Sequence, residues 1–254
     1  MARSTPARWW RNGSICRIAA ADLGRAAAVL AAAAGLMAMP ARAQSIGVAA
    51  TVSLQSNQTF RGETISRDGP GATLAVNADG PLGLFAGADV SVALASGAVR
   101  MTANAQFAGV AVRAGGVGTV ELGGVHRHYR EVFDSDYDRD YSEIFVGVSR
   151  GATRLRGYLS PDYVADHAWS GYIELETRLL GRGAWSLHGH GGLRLVPQDA
   201  HATTGFPRVY EDWSLSLGRE WRGFNLALGV AGTNYPVIGD SGRARVQFVI
   251  AKSL

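Results

Sequence analysis

The chain of 254 residues contains a single cysteine, Cys16. A chain this poor in thiols is not a disulfide scaffold, and it offers no thiolate set for a metal. Beyond the first 43 residues, no apolar run is long enough to cross a bilayer as a helix. No stretch has the period of an amphipathic helix, so the strand-to-helix setting that a glycine-rich phosphate loop needs is also missing. No linker and no second domain are visible.

The positive charge is local. Residues 1–43 carry Arg3, Arg8, Arg11, Arg17 and Arg25, then an apolar run from Ala26 to Met39, then Ala-Arg-Ala before Gln44. A basic region, a short apolar core and a small-residue cleavage site predict a secretory signal peptide over 1–43. That segment holds six of the 25 basic residues and one of the 21 acidic ones, which leaves 19 basic and 20 acidic groups in 44–254. A net charge of −1 gives no case for nucleic-acid binding.

What the chain does have is glycine, 33 residues of it, and alternation. Period-two runs predict twelve strands at roughly 46–60, 71–79, 83–95, 99–114, 118–130, 140–150, 153–160, 168–180, 184–196, 209–220, 224–235 and 243–254. The connections alternate between tight turns, such as Gly151-Ala152, and long loops, such as 197–208. Tight turns at one end and long loops at the other predict an all-β fold, a transmembrane antiparallel β-barrel over 44–254. Leu84, Ala86, Ala88, Val90, Val92 and Leu94 form one apolar face, while Asp89, Glu143, Glu174, Glu176 and Arg178 fall on opposite faces. Phe60, Tyr129, Tyr141, Tyr158, Trp169, Tyr210 and Tyr235 are expected to form an aromatic girdle at the long-loop end. Phe85, Trp185, Trp221 and Phe224 are expected to form one at the short-turn end.

Register arguments join some of the polar residues. A three-residue turn at Gly181-Arg182-Gly183 sets Glu176 opposite His188 and Glu174 opposite His190. Matching Tyr158 with Tyr172 sets Arg156 opposite Glu174 and Arg154 opposite Glu176. The expected pore lining is therefore Arg154, Arg156, Glu174, Glu176, His188 and His190, with Glu143, Asp89, Arg178 and Arg194. The same rows would also serve only to satisfy charges inside a narrow barrel.

Other constellations carry less. The acidic stretch Asp134 to Glu143 fails as a calcium loop, because Arg139 and Phe145 stand where glycine and glutamate are required. The pairs His126/His128 and His188/His190 lack a supporting ligand cluster, so no metal and no cofactor is expected. His126 and His128 share parity with Val120 and Leu122, which puts them at the outer rim among lipid headgroups. Serines and histidines are present, but no spacing marks one pair as the nucleophile and base of a lipid-ester enzyme.

The stretch SNQTFRGETISRDGPG (56–71) resembles the opening signature of the TorF-type porin family, in Ser56, Asn57, Phe60, Arg61 and Gly62. GLFAGADVSV (83–92), YSEIFVGVSRG (141–151), GYLSPDY (157–163) and the closing RVQFVIAKSL are similar to later segments of that family. Asp89 stands where the family has an aromatic, and the chain ends in Leu254 where a terminal phenylalanine is usual. The resemblance implies a channel in the bacterial outer membrane, with outer-membrane lipid and lipopolysaccharide around it and the barrel-assembly machinery as its insertion partner. It implies no catalytic residue.

The expectation is thus a non-enzymatic, porin-like channel for small solutes or ions. A closed structural barrel and a lipid-acting enzyme are the alternatives. Phe60 is expected at the top of the first strand, and Arg61 to Pro70 in an extracellular loop away from the point where solute is chosen.

Overall fold

A computed structural model describes residues 46–66, 68–95, 98–130, 139–163, 168–196, 209–234 and 244–254. The expected leader, the acidic loop from Asp134 to Asp138, and Tyr235 lie outside these residues.

The described strands are β1 (Gly47–Gln55), β2 (Thr59–Phe60), β3 (Glu63–Thr64), β4 (Gly71–Asp79), β5 (Leu84–Ala95), β6 (Ala98–Arg113) and β7 (Thr119–Tyr129). They continue as β8 (Arg139–Arg150), β9 (Thr153–Tyr163), β10 (Ala168–Arg182), β11 (Trp185–Leu195), β12 (Val209–Trp221), β13 (Phe224–Thr233) and β14 (Arg245–Ser253). Twelve of them close into an antiparallel barrel in the order β1-β14-β13-β12-β11-β10-β9-β8-β7-β6-β5-β4. The seam joins β1 to β14, with Thr51 opposite Ser253 and Gln55 opposite Val249. Closure leaves no edge strand, so every strand finds two partners for its backbone groups.

Alternation turns one side of each strand outward and the other into the lumen. The outer face is apolar: Leu122, Ile144 and Val146 are 57%, 61% and 56% exposed. Soluble monomers rarely expose apolar patches beyond a few hundred Å². Here the belt includes Leu84, Leu155, Ile173, Leu215 and Leu228, all exposed.

The first wall strand is shorter than the period-two run suggests. At Ser56 the chain leaves the wall. Its N–H donates to the Phe248 carbonyl at 2.9 Å and its hydroxyl accepts from the Phe248 N–H at 2.9 Å. Residues 57–66 then turn into the barrel, where β2 and β3 form a separate hairpin.

That turn corrects the expected girdles. Phe60, Tyr129, Tyr141, Tyr158 and Phe85 pack on one another or their neighbours inside the barrel, and Tyr210 is 2% exposed. Trp169, Trp185 and Trp221 do face outward and are about half exposed. Strand parity decides this: Phe85 pairs with Asp79 and Gly109, on the face shared with Asp89.

The β10–β11 turn is also corrected. Arg182 pairs with Trp185, so the turn has two residues, Gly183 and Ala184. A bulge between Arg178 and Leu180 takes up the extra residue, Leu179. It keeps Leu179 and Leu180 both exposed on the apolar side. The later turn moves the expected pairing by three residues and the bulge takes back one, for a net shift of two. Glu176 therefore faces His190, Glu174 faces Gly192, and Arg178 faces His188.

Candidate functional site

The β2–β3 hairpin sits in the lumen as a plug. Its turn residues, Arg61 and Gly62, have φ of 49° and 77°, the positive values that a two-residue hairpin loop uses at both central positions. Gly62 is required on a second ground. A Cβ there would lie 2.6 Å from Cβ of Thr233 and 2.8 Å from Cβ of Asp212, so the tip presses on the β12–β13 wall.

Charge anchors the plug on one side. Arg61 donates both terminal N–H groups to Glu143 on β8, at 2.8 Å and 2.9 Å. Arg194 on β11 donates to Glu63 at 2.9 Å. All four side chains are at most 5% exposed. Removing one partner of such a pair leaves a buried charge uncompensated. The Arg61 guanidinium also lies 3.9 Å over the Tyr172 ring and 5.0 Å over that of Tyr158, a cation–π arrangement.

Neutral groups do most of the holding on the other side, with one ion pair at its exposed edge, where Arg245 donates to Asp68 at 2.7 Å. Gln58 donates to the Ala72 carbonyl and to Thr73, both at 3.0 Å, and Gln247 donates to Thr59 at 2.7 Å. Asn57 organises the base of the plug. Its amide donates to Asp68 at 2.9 Å and its carbonyl accepts from Thr64 at 2.9 Å. Ser56, Asn57, Phe60, Arg61 and Gly62, the residues of the opening signature, are thus the plug and its hinge.

A row of charges lines the wall beside it. Tyr158 pairs with Tyr172, Arg156 with Glu174 and Arg154 with Glu176, as register predicted across β9 and β10. Arg154 forms its ion pair with Glu176. Arg156 instead donates to Glu121 on β7 at 2.8 Å and 2.9 Å. It reaches over β8 at Gly147, where a Cβ would collide with the Glu121 carboxylate. Glu174 accepts from the Tyr158 hydroxyl at 2.8 Å. His190 contacts Asp212 at 2.7 Å, and the Tyr172 hydroxyl donates to Asp212 at 3.0 Å. Donor atoms of Glu174, Glu176 and His190 fall within 4.8 Å of one another, close enough for one divalent cation, although Arg154 already occupies Glu176.

Space remains beside the plug and elsewhere in the lumen. A cavity of about 310 Å³ is lined by Arg61, Glu174, Glu176, His190 and Asp212. A second, of about 430 Å³, is lined by Asp89, Glu121, Arg127, Arg154 and Arg156. Arg178 and His188 line a third, of about 610 Å³, which also takes in the β10–β11 turn.

Of the ten expected lining residues, eight line these cavities. Glu143 and Arg194 do not: they are 2% and 4% exposed and are taken up by the plug. Sequence reasoning missed Arg61, Glu63, Glu121, Arg127 and Asp212. Parity alone marks Glu121 and Asp212 as inward, but Arg61 and Glu63 sit in a stretch that reads as an external loop.

Solved structures share this architecture. The KdgM porin superposes with a TM-score of 0.51 at 8% identity, over 81% of this chain and 99% of the porin. The fold is that of a porin-type barrel. The COG4313 outer membrane channel from Pseudomonas putida F1 matches at a TM-score of 0.46 and 11% identity, over 84% of this chain and 97% of the channel. No family model and no curated protein matches the chain.

Proposed function

We propose that the protein is a porin-like channel of the bacterial outer membrane that passes small solutes or ions by passive diffusion. The observation that carries this reading is a closed twelve-stranded barrel, apolar outside and charged inside, with cavities beside the plug and along the charged wall. Selection in such a lumen follows from its width and from the charge lining it. The resemblance of 56–71 to the TorF-type porins supports the same reading. In this orientation the tight turns face the periplasm and the long loops face outward, and lipid and lipopolysaccharide meet the apolar belt.

Planar-bilayer recording of the purified protein is the test. Discrete conductance steps that change with ion type are expected. A second reading, a closed structural barrel, is favoured by the burial of Arg61–Glu143 and Glu63–Arg194. A silent bilayer, with the protein folded and membrane-bound, would select it. Recovery of the protein as a soluble periplasmic monomer would end both readings.

A further inference from the structure

The outer face carries a polar patch across β6, β7 and β8. Asn104 and Gln106 on β6, His126 and His128 on β7, and Asp140 and Ser142 on β8 share the outward face, since Gln106 pairs with His126 and His126 with Ser142. Leu122, Ile144 and Val146 continue that face as exposed apolar residues. The patch lies close to the strand ends at Tyr129 and Arg139, at the rim of the barrel, where polar side chains meet lipid headgroups.

The arrangement within the patch is specific. His126 Nδ1 stands 3.1 Å from Ser142 Oγ, and His126 Nε2 stands 3.0 Å from Asp140 Oδ1. The ring thus lies between a hydroxyl and a carboxylate, the order serine, histidine, aspartate that activates a serine nucleophile. His128 Nδ1, 3.6 Å from Asp140 Oδ2, stands on the far side of the carboxylate. Gln106, directly opposite His126, offers an amide N–H on the same face. Its Nε2 also donates to Asn104 at 2.7 Å.

We propose that Ser142, His126 and Asp140 form a catalytic site for acyl esters of membrane lipid, on the outer wall and apart from the lumen. The inference rests on the membrane placement proposed above but not on conduction. Ser142 Oγ attacks the ester carbonyl while His126 Nδ1 takes its proton and Asp140 steadies the imidazolium. The ester C–O bond breaks, and the leaving alcohol takes the proton back from His126. Water, activated by the same histidine, then cleaves the acyl-serine, releasing a fatty acid and restoring the hydroxyl.

The test uses the full-length protein in detergent with two substrates in separate arms, dioleoyl phosphatidylcholine in mixed micelles and purified lipopolysaccharide. Release of fatty acid from at least one is expected, with loss of at least tenfold in Ser142→Ala and in His126→Ala. Asp140→Asn should lower kcat with little change in KM, since it acts on the base and not on lipid binding. A fluorophosphonate probe should label Ser142, and labelling should fall in His126→Ala. These positions face outward, so gel mobility before and after heating checks folding, and bilayer conductance of Ser142→Ala should equal that of the parent. No fatty acid from either lipid, or equal release by Ser142→Ala, overturns the proposal. A failure of membrane placement would show separately, as a soluble protein in fractionation.

Discussion

Two sides of the lumen hold the same plug by different physics. Towards β8 and β11 the plug is held by buried, charge-assisted hydrogen bonds from Arg61 to Glu143 and from Arg194 to Glu63. Towards β4 and β14 it is held by neutral amide contacts from Gln58 and Gln247 and by an ion pair from Arg245 to the exposed Asp68 carboxylate, which solvent weakens. A buried charge deprived of its partner costs several-fold more than a neutral hydrogen bond lost. The walls differ in bulk as well. Tyr129 stacks on Tyr141, and Phe145, Tyr158 and Tyr172 pack with tilted rings along the charged side. Ala227, Gly229 and Ala231 line the small side and pair with Val249, Gln247 and Arg245. In the proposed channel, the charged wall sets where the plug stands and the small wall leaves room beside it.

The largest effect should come from Arg61→Ala. Glu143 would keep only the 3.4 Å contact from Arg127 Nε, and the loss should be about 3 kcal/mol. A lower urea midpoint together with a raised single-channel conductance would show that the charged side holds the plug. An unchanged midpoint would break the comparison.

Gly62→Val should come next. It forces a β-branched residue to a φ of 77° and into Thr233, at a cost of about 1–3 kcal/mol in backbone strain. The barrel should still form, with altered conductance and faster proteolysis within 57–70.

Gln247→Ala tests the neutral side. One hydrogen bond is lost, so the urea midpoint should move by about 1 kcal/mol, with conductance close to the parent. A loss as large as that of Arg61→Ala would mean that the two sides are equivalent.

Glu174→Gln combined with Glu176→Gln should move stability least. The Arg154–Glu176 pair is 39% and 43% exposed, and such pairs contribute below about 1 kcal/mol. Its effect should fall on permeation, as weaker preference for cations in reversal-potential measurements. An unchanged reversal potential would leave these glutamates a purely structural role.

Most of the wall is legible in the sequence, because a strand's two faces repeat every second residue. The β4 run at 71–79 is read without error, and the β9–β10 pairing follows from one match between tyrosines. The β10–β11 register is not legible, because Gly181-Arg182-Gly183 reads as a turn that falls instead at Gly183-Ala184, and the bulge at Leu179, beside Leu180, leaves no distinct signal. Only part of each aromatic girdle forms, Trp169 at one end and Trp185 and Trp221 at the other, because height along a strand does not fix which face a side chain takes: alternation puts Phe85 on the inward face with Asp89. The Ser142–His126 pair was within reach, since both residues flank the 131–138 loop, and the register logic used on β9–β10 applies there too.

By itself the sequence determined the number of wall strands, the apolar and polar faces, and the ends at which turns and loops fall. Local chemistry suffices for these, because each strand face is written into a few adjacent residues. Only the tertiary structure decided the plug. Arg61 and Glu143 stand 82 residues apart, on a turn and on a strand that nothing local connects. The opening signature reads as an external loop until barrel closure brings a buried carboxylate within reach of its arginine. The curvature of the closed sheet, which no short stretch encodes, brings the two together.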